Sequence, residues 1–114
     1  MAKKVKEIKE TPGIRELPPA NSVRIIYGKG EVRCESNGEI AGLEISYRGA
    51  FHGRKKLGAG WSIKANKTKI LIFSLAQTSI TELLFKYIGD LRIIGAKYVT
   101  WDNVMKSVII ENLN

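Results

Sequence analysis

Hydrophobic and polar residues alternate along most of the chain after Ser22, with the two-residue period that is typical of β-strands. In each alternating segment the apolar residues fall on one face and the polar or charged residues fall on the other. The apolar faces consist of Val23, Ile25 and Tyr27, of Val32 and Cys34, of Leu43, Ile45 and Tyr47, and of Trp61, Ile63 and Ala65. The run from Lys69 to Leu75 is apolar on both faces, which predicts a central strand.

Glycine and asparagine separate these segments. Gly28-Lys29-Gly30 ends the first strand, and Asn66-Lys67 predicts a turn before the central strand. Asn37-Gly38 predicts a hairpin turn, because this dipeptide readily adopts positive φ at both central positions. Residues 49–60 contain too many glycines for a stable helix, so they predict a long loop or a broken strand.

Residues 79–88 are compatible with two structures. Ser79 and Glu82 match a capping box at the start of a helix, and Gly89 is suited to stop that helix. These signals favour a short helix and an α+β fold. Gly89-Asp90 equally suits a hairpin turn, and the residues after it are rich in strand formers. We predict a strand over Glu82 to Ile88 and therefore an all-β fold, a single antiparallel β-sandwich with an extended N-terminal arm.

The first 21 residues differ from the rest of the chain. They have few large apolar side chains and are interrupted by Pro12-Gly13 and Pro18-Pro19, so they cannot bury a core of their own. We predict an arm over residues 1–21 and one sandwich domain over residues 22–114. The arm is either a disordered terminus or a segment that orders on a neighbouring subunit. Its basic residues are Lys3, Lys4, Lys6, Lys9 and Arg15.

The formal net charge is +8, and most of it comes from one stretch without acidic residues, Ile45 to Thr81. The cations of this stretch are Arg48, Arg54, Lys55, Lys56, Lys64, Lys67 and Lys69. Uncompensated cations repel one another unless they are widely spread, so we predict that they form an interaction surface for an acidic partner. The other interpretation is a solvated loop and a charged strand face.

The sequence contains no recognisable catalytic or metal-binding motif. His52 is the only histidine and Cys34 the only cysteine, whereas a catalytic triad or a metal site needs several such groups. We therefore expect no enzyme activity, no cofactor and no metal, and a buried Cys34. The first residues lack the apolar run of a secretory signal, and no segment has the length of a membrane span. We expect a cytoplasmic protein without membrane contact.

Several short motifs occur in the order found in cohesin-type β-sandwiches. They are Glu39 to Tyr47, then Gly60 to Ile63, then Lys69 to Leu75, then Glu82 to Phe85. The chain resembles this family over roughly residues 22–112. The family typically has an acidic residue after the tyrosine, and this chain has Arg48 there. The resemblance implies a jelly-roll-like sandwich that binds other proteins and catalyses no reaction.

These features lead to three hypotheses about function. The first is a non-enzymatic structural protein that packs as an oligomer or subunit into a larger assembly such as a virus particle, through its arm and its basic face. The second is a non-specific module with weak affinity for nucleic acid, in which Phe51 and Trp61 stack bases beside the cations. The third is a protein- or carbohydrate-recognition domain.

Overall fold

The computed structural model describes residues 18–74 and 79–114, which form β-strands joined by turns and loops. The strands are β1 (Val23–Gly28), β2 (Glu31–Ser36), β3 (Gly42–Arg48), β4 (Phe51–Lys55), β5 (Trp61–Ala65), β6 (Lys69–Ser74), β7 (Leu83–Gly89), β8 (Arg92–Val99), β9 (Met105–Ser107) and β10 (Ile109–Asn112). No helix occurs among these residues, and hence none that could cross a membrane.

The strands form two sheets. Sheet A has the order β10-β1-β2-β7-β4, and sheet B has the order β5-β6-β3-β8-β9. Neighbouring strands are antiparallel except for β1 and β10, which run parallel. The chain crosses from sheet A to sheet B after β2, so the two sheets are interleaved in sequence. The predicted all-β sandwich is confirmed.

The hydrophobic core lies between the two sheets and is formed by the inner face of each. The largest fully buried side chains are Tyr27, Tyr98, Phe85, Ile25, Ile40, Ile45, Ile70, Ile72, Leu84, Val23 and Val32. They come from both sheets and include the apolar faces that the sequence pattern predicted. Burying such a side chain stabilises the fold by about 1.5–3 kcal/mol relative to leaving it in water.

Strand β6 is central, as predicted, since it lies between β5 and β3. Its two faces nevertheless differ in burial. Ile70 and Ile72 are buried in the core, whereas Leu71 points to the outer face and is 45% exposed. In a two-layer sandwich the outer face of even a central strand has no second layer to cover it. The described residues therefore leave an apolar side chain of β6 in contact with solvent.

The structure decides between helix and strand at residues 79–88 in favour of the strand. Strand β7 pairs with β2 on one side and with β4 on the other. A bulge in its pairing with β2 allows the neighbouring residues Leu84 and Phe85 both to be buried. The helix alternative, and with it the α+β fold, is wrong because pairing on both sides of β7 outweighs the local capping signal.

The predicted hairpin at Asn37-Gly38 is wrong. Strands β2 and β3, which flank this dipeptide, lie in different sheets, so the connection is a crossover. The Asn37 Oδ1 atom accepts hydrogen bonds from the backbone amides of Asn21 and Ser22, at 2.8 and 3.1 Å. A Cβ atom at Gly38 would lie 2.9 Å from the Ala20 backbone. Asn37 and Gly38 thus hold the segment before β1 against the sandwich. This role depends on tertiary contacts, which the local turn signal does not reveal.

The predicted turn at Asn66-Lys67 is present between β5 and β6.

Residues 18–20, which we assigned to the arm, are attached to the sandwich. Ala20 N donates to Glu39 O at 2.9 Å, and Glu39 N donates to Pro18 O at 2.8 Å. The buried Tyr98 hydroxyl donates to Ala20 O at 3.1 Å, and burial raises the pKa of Tyr98. These bonds anchor the chain immediately before β1.

Cys34 lies in β2 with its side chain in the core, as predicted. Burial in the apolar interior, and then the nearby carboxylate of Glu35, raise the pKa of this thiol from its ordinary value of 9.0 to about 12. The thiol is therefore neutral at physiological pH and has little nucleophilic character.

We predict that Cys34 reacts with Ellman's reagent at pH 8 only when the protein is unfolded, because four pH units below its pKa only about one thiol in 10⁴ is ionised. The pKa of Cys34 is higher in the folded state than in the unfolded state. The contribution of its neutral thiol to the free energy of unfolding is therefore complete below pH 9 and is lost as the pH rises from 9 to about 12. The free energy of unfolding of the wild type should fall more steeply with pH in that window than that of Cys34→Ala. Rapid labelling of the native protein would contradict this assignment.

We predict that Tyr98→Phe destabilises the protein by about 1–2 kcal/mol, because it removes the hydrogen bond to Ala20 and leaves a buried carbonyl without a donor. The measurement is chemical denaturation. Tyr27→Phe is the matched control, since Tyr27 is equally buried and the described residues offer its hydroxyl no hydrogen-bond partner. Equal losses in the two variants would show that the bond to Ala20 contributes nothing.

Candidate functional site

The outer face of sheet B carries a row of apolar residues that crosses four strands. The strand register places Phe73 of β6 beside Gly42 of β3, Gly42 beside Val99 of β8, and Val99 beside Met105 of β9. Because side chains alternate along a strand, these residues share a face, opposite to that of the buried Leu43 and Ile72. The row runs perpendicular to the strands near one end of the sheet, where β3 and β9 begin and β8 ends.

Gly42 makes the centre of this row concave. It has no side chain, and a Cβ atom there would lie 3.1 Å from Ile72 O and 3.5 Å from Val99 Cγ1. A depression of about 340 Å³ surrounds it, lined mainly by apolar groups that include Leu71, Phe73 and Met105. The depression can receive a side chain of another molecule.

Two of the apolar side chains at this depression are well exposed. Leu71 is 45% exposed and Met105 is 61% exposed. Phe73 and Val99, between them, are half-buried. Contiguous exposed apolar groups rimmed by polar residues are typical of sites for protein partners. Methionine is particularly suited to such a surface because its flexible thioether adapts to the shape of a partner.

The next row of the same face is charged. It contains Lys64 of β5, Leu71 of β6, Glu44 of β3 and Lys97 of β8, each placed beside the next by the register. Lys69 Nζ donates to Glu44 Oε2 at 3.0 Å, so the carboxylate of this row is already occupied. For Lys64 and Lys97 the described residues supply no ion-pair partner.

A further pair of cations lies at the end of β3. Arg48 is directly opposite Arg92 of β8, and both are exposed on the outer face. Like charges at directly opposed positions of a sheet repel each other. An anion bound between them would remove this repulsion. The outer face of sheet B thus combines an apolar depression with an excess of positive charge, and we call it the docking face: Gly42, Glu44, Arg48, Lys64, Lys69, Leu71, Phe73, Arg92, Lys97, Val99 and Met105.

The seven cations predicted as one basic face are divided between the two sides of the sandwich. Arg48, Lys64 and Lys69 belong to the docking face. Lys67 lies in the turn between β5 and β6. Arg54 and Lys56 lie on the outer side of sheet A, beside Lys86. Their role in binding stays a prediction, but it concerns two separate surfaces.

Lys55 has a different environment from its two basic neighbours. It lies opposite the buried Phe85 of β7 and therefore points toward the inside of the sandwich. Its Nζ atom donates to Trp61 O at 2.7 Å, which connects β4 of sheet A to β5 of sheet B. Lys55 therefore links the two sheets. The basic residues predicted in the arm, from Lys3 to Arg15, lie outside the described residues.

The aromatic residues near the cations are turned inward. Trp61 is 2% exposed, and its Nε1 atom donates to Ser79 O at 3.1 Å. Phe51 packs against Tyr47, Phe85 and Tyr87, with ring centroids 5.2, 5.9 and 6.2 Å away. Trp61 is thus part of the core and the half-buried Phe51 packs against it, so neither ring stands on the outer surface beside the cations, where a nucleic-acid base would stack.

The titratable groups of the described residues are dispersed. His52 is exposed on the outer side of β4 beside Ile88, and in residues 18–74 and 79–114 no three metal-ligating side chains come together. The docking face offers apolar contact, cations and one occupied carboxylate.

The sequence indicated the cations of the docking face but not its apolar centre. Gly42, Val99 and Met105 come together only through the pairing of β3 with β8 and of β8 with β9. The local signal that existed was Leu71, because it stands on the second apolar face of β6. Whether Leu71 belongs to the core or to the surface depends on whether another layer covers that face of β6.

Comparisons with known proteins point to a structural neighbour. No protein-family model matches the sequence, and no curated protein matches it. A solved structure that the chain resembles is the cohesin module from the Clostridium perfringens ATCC13124 family 33 glycoside hydrolase, with 18% sequence identity and a TM-score of 0.47. The match covers 90% of this chain and 99% of that chain. The neighbour is a cohesin module, and cohesins are the family that the motifs in the sequence resemble.

Proposed function

We propose that this protein is a non-enzymatic protein-interaction module that binds its partner through the docking face. The observation that carries the proposal is the apolar depression around Gly42, with exposed Leu71 and Met105 at its rim. Exposed apolar side chains gain about 25 cal/mol for each Å² that a partner removes from water. The open, shallow shape suits a protein surface better than a small molecule, which a deeper pocket would enclose.

The charges of the docking face define the chemistry of the partner. Lys64 and Lys97 lie in the row next to the apolar row, and Arg48 and Arg92 lie together at the far end of β3 and β8 from Gly42. A complementary surface inserts one apolar side chain beside Gly42 and places carboxylates opposite these cations. Such charge complementarity accelerates association and selects against basic competitors.

In the proposed biological setting the module is a subunit of a larger assembly such as a virus particle, made in the cytoplasm and then incorporated. The support for this step is the combination of a compact sandwich with a basic N-terminal segment. Hydrogen bonds of Pro18 and Ala20 to Glu39 fix the point at which that segment joins the sandwich. An arm fixed at its base can reach a neighbouring subunit while the docking face contacts another.

We predict that Met105→Asp weakens binding to the partner by at least about 2 kcal/mol, close to thirtyfold, because it places a charge at the rim of an apolar contact. The measurement has two parts in the cell that makes the protein. A photoreactive phenylalanine analogue at position 105 should form a covalent adduct with a partner protein. The Met105→Asp variant should then leave the complex, as followed by sedimentation.

Ile109→Asp is the matched control for this experiment. Ile109 lies on β10 of sheet A and is 60% exposed, against 61% for Met105, so both substitutions add the same charge at equally exposed apolar sites. The control should sediment with the complex like the wild type. Equal loss of the two variants from the complex, or adducts from position 109 alone, would contradict the proposal that the docking face binds the partner.

We predict that removal of residues 1–17 leaves the sandwich folded and reduces its incorporation into the assembly. The anchoring bonds of Pro18 and Ala20 remain in this variant, so its melting temperature should stay within a few degrees of the wild type. Co-sedimentation with the assembly should fall severalfold. If the shortened protein is incorporated as well as the wild type, the first residues have no part in assembly.

A further inference from the structure

Strand β4 is an edge strand whose outer backbone groups have no partner strand among the described residues. On the side of β7, Asp90 N donates to Ala50 O at 2.8 Å, and Lys56 N donates to Leu84 O at 3.0 Å. Hydrogen-bonded and non-hydrogen-bonded pairs alternate in an antiparallel ladder, so the even-numbered residues from 50 to 56 face β7. The N–H and C=O groups of Phe51, Gly53 and Lys55 therefore point to the open edge.

A slot beside this edge leads into the sandwich. It has a volume of about 410 Å³ and is lined from sheet A by Phe51, Gly53 and Phe85. Across from them, sheet B contributes apolar groups that include Ile63 and Ile70. Gly53 keeps the slot open, because a Cβ atom there would lie 3.3 Å from Phe51 Cε2 and 3.4 Å from Phe85 Cδ2. The slot has room for an aliphatic or aromatic side chain of another molecule.

The outer side of the same edge is cationic. His52, Arg54 and Lys56 project there together with Lys86 of β7. The carboxylate that pairs with Lys86, that of Glu31, is shared with Arg33, since its oxygens lie 2.9 Å from Arg33 and 3.9 Å from Lys86. The described residues give Arg54 and Lys56 no ion-pair partner. One strand therefore has on its inner side a slot with apolar walls, which Lys55 also lines, and on its outer side cations without an ion-pair partner among the described residues.

We propose that β4 is a second binding site, which takes an extended peptide with alternating apolar and acidic residues as an added strand of sheet A. The backbone of the peptide bonds to the edge groups of Phe51, Gly53 and Lys55, which gives affinity without regard to sequence. Side chains of the added strand alternate between the two sides of the sheet. Those facing inward occupy the slot, and those facing outward meet the cations, so the site selects an alternating sequence.

The geometry favours a peptide over nucleic acid at this edge. Single-stranded nucleic acid binds through phosphate contacts together with stacking of bases on exposed aromatic rings. Here the nearby rings of Phe51, Phe85 and Tyr87 pack inside the sandwich, and Ile88 is the large exposed side chain beside the cations. The unpaired backbone edge, by contrast, matches another backbone.

The site is independent of the docking face. Strand β4 belongs to sheet A, whereas Gly42, Leu71 and Met105 lie on the outer side of sheet B. A protein with both surfaces can hold two partners at once. The two proposals therefore fail or succeed separately, and a substitution at one surface serves as a control for the other.

The test is amide hydrogen exchange of the full-length protein, followed by NMR, with a blocked nine-residue peptide that alternates aspartate with valine and phenylalanine. In the free protein the amides of Phe51, Gly53 and Lys55 should exchange rapidly, whereas those of His52 and Arg54 are already protected by β7. The peptide should slow exchange at the three odd-numbered positions about tenfold or more at saturation. Protection at alternate residues is specific to an added strand.

Two controls sharpen this test. Methylation of the peptide nitrogens that face β4 should abolish binding, whereas methylation of the alternate nitrogens should leave it unchanged, and neither change affects the fold of the protein. Arg54→Glu should weaken peptide binding about fivefold at low salt. Arg92→Glu, an equivalent charge reversal on the docking face, should change it by no more than about twofold.

Several results would overturn the proposal. One is peptide binding without protection of the edge amides, and another is equal sensitivity to methylation at both sets of nitrogens. A third is tighter binding of a single-stranded oligonucleotide, with a steep dependence on salt and loss in Arg54→Glu, which would assign the cations to phosphate instead. An alternating peptide with lysine in place of aspartate that binds equally well would remove the role of the cations.

Discussion

The structure depends on one constraint, that a strand in a two-layer sandwich can bury only one of its faces. The inner faces of both sheets meet this constraint with large aliphatic and aromatic side chains, among them Ile45, Ile72 and Phe85, which exclude water from the space between the layers. The outer faces carry the remaining residues. Where an outer face is polar, solvent satisfies it. Where it is apolar, as at Leu71 and Met105, side chains remain in contact with water, and this is the surface that we propose a partner covers.

A similar constraint acts at the edges of the sheets, where the outward N–H and C=O groups of an edge strand have no neighbouring strand to bond with. Natural sandwiches protect their edges with charges, bulges or short strands. Strand β4 is short and carries His52 and Arg54 on its outer side, which resists pairing with a second copy of the same cationic strand. These charges attract an acidic strand by the same physics. In the binding that we propose for β4, protection against self-association and selection of a partner are thus one property of the edge.

Much of the fold could be predicted from the sequence, because a period of two and a buried face are local properties. The alternation around Ile25, Cys34 and Ile45 identified strands and core residues, and the strand at β7 followed from the sequence around it. Sheet order and register are not local. Asn37-Gly38 has the composition of a hairpin turn but lies at a crossover, and Phe73, Gly42 and Met105 meet only through strand pairing. The apolar centre of the docking face could therefore not be predicted.

The distribution of charge shows why a basic segment does not by itself identify a partner. Consecutive residues of one strand point to opposite sides, so Arg54 and Lys55, adjacent in sequence, have different environments: Arg54 faces solvent, and Lys55 connects the two sheets. The cations that remain on the surface are shared between two faces, and each set attracts anions at long range without distinguishing among them. Discrimination must come from short-range shape. On sheet B that shape is the depression at Gly42, and on sheet A it is the backbone edge and slot at Gly53, so in both proposals a glycine leaves room for the partner's atoms.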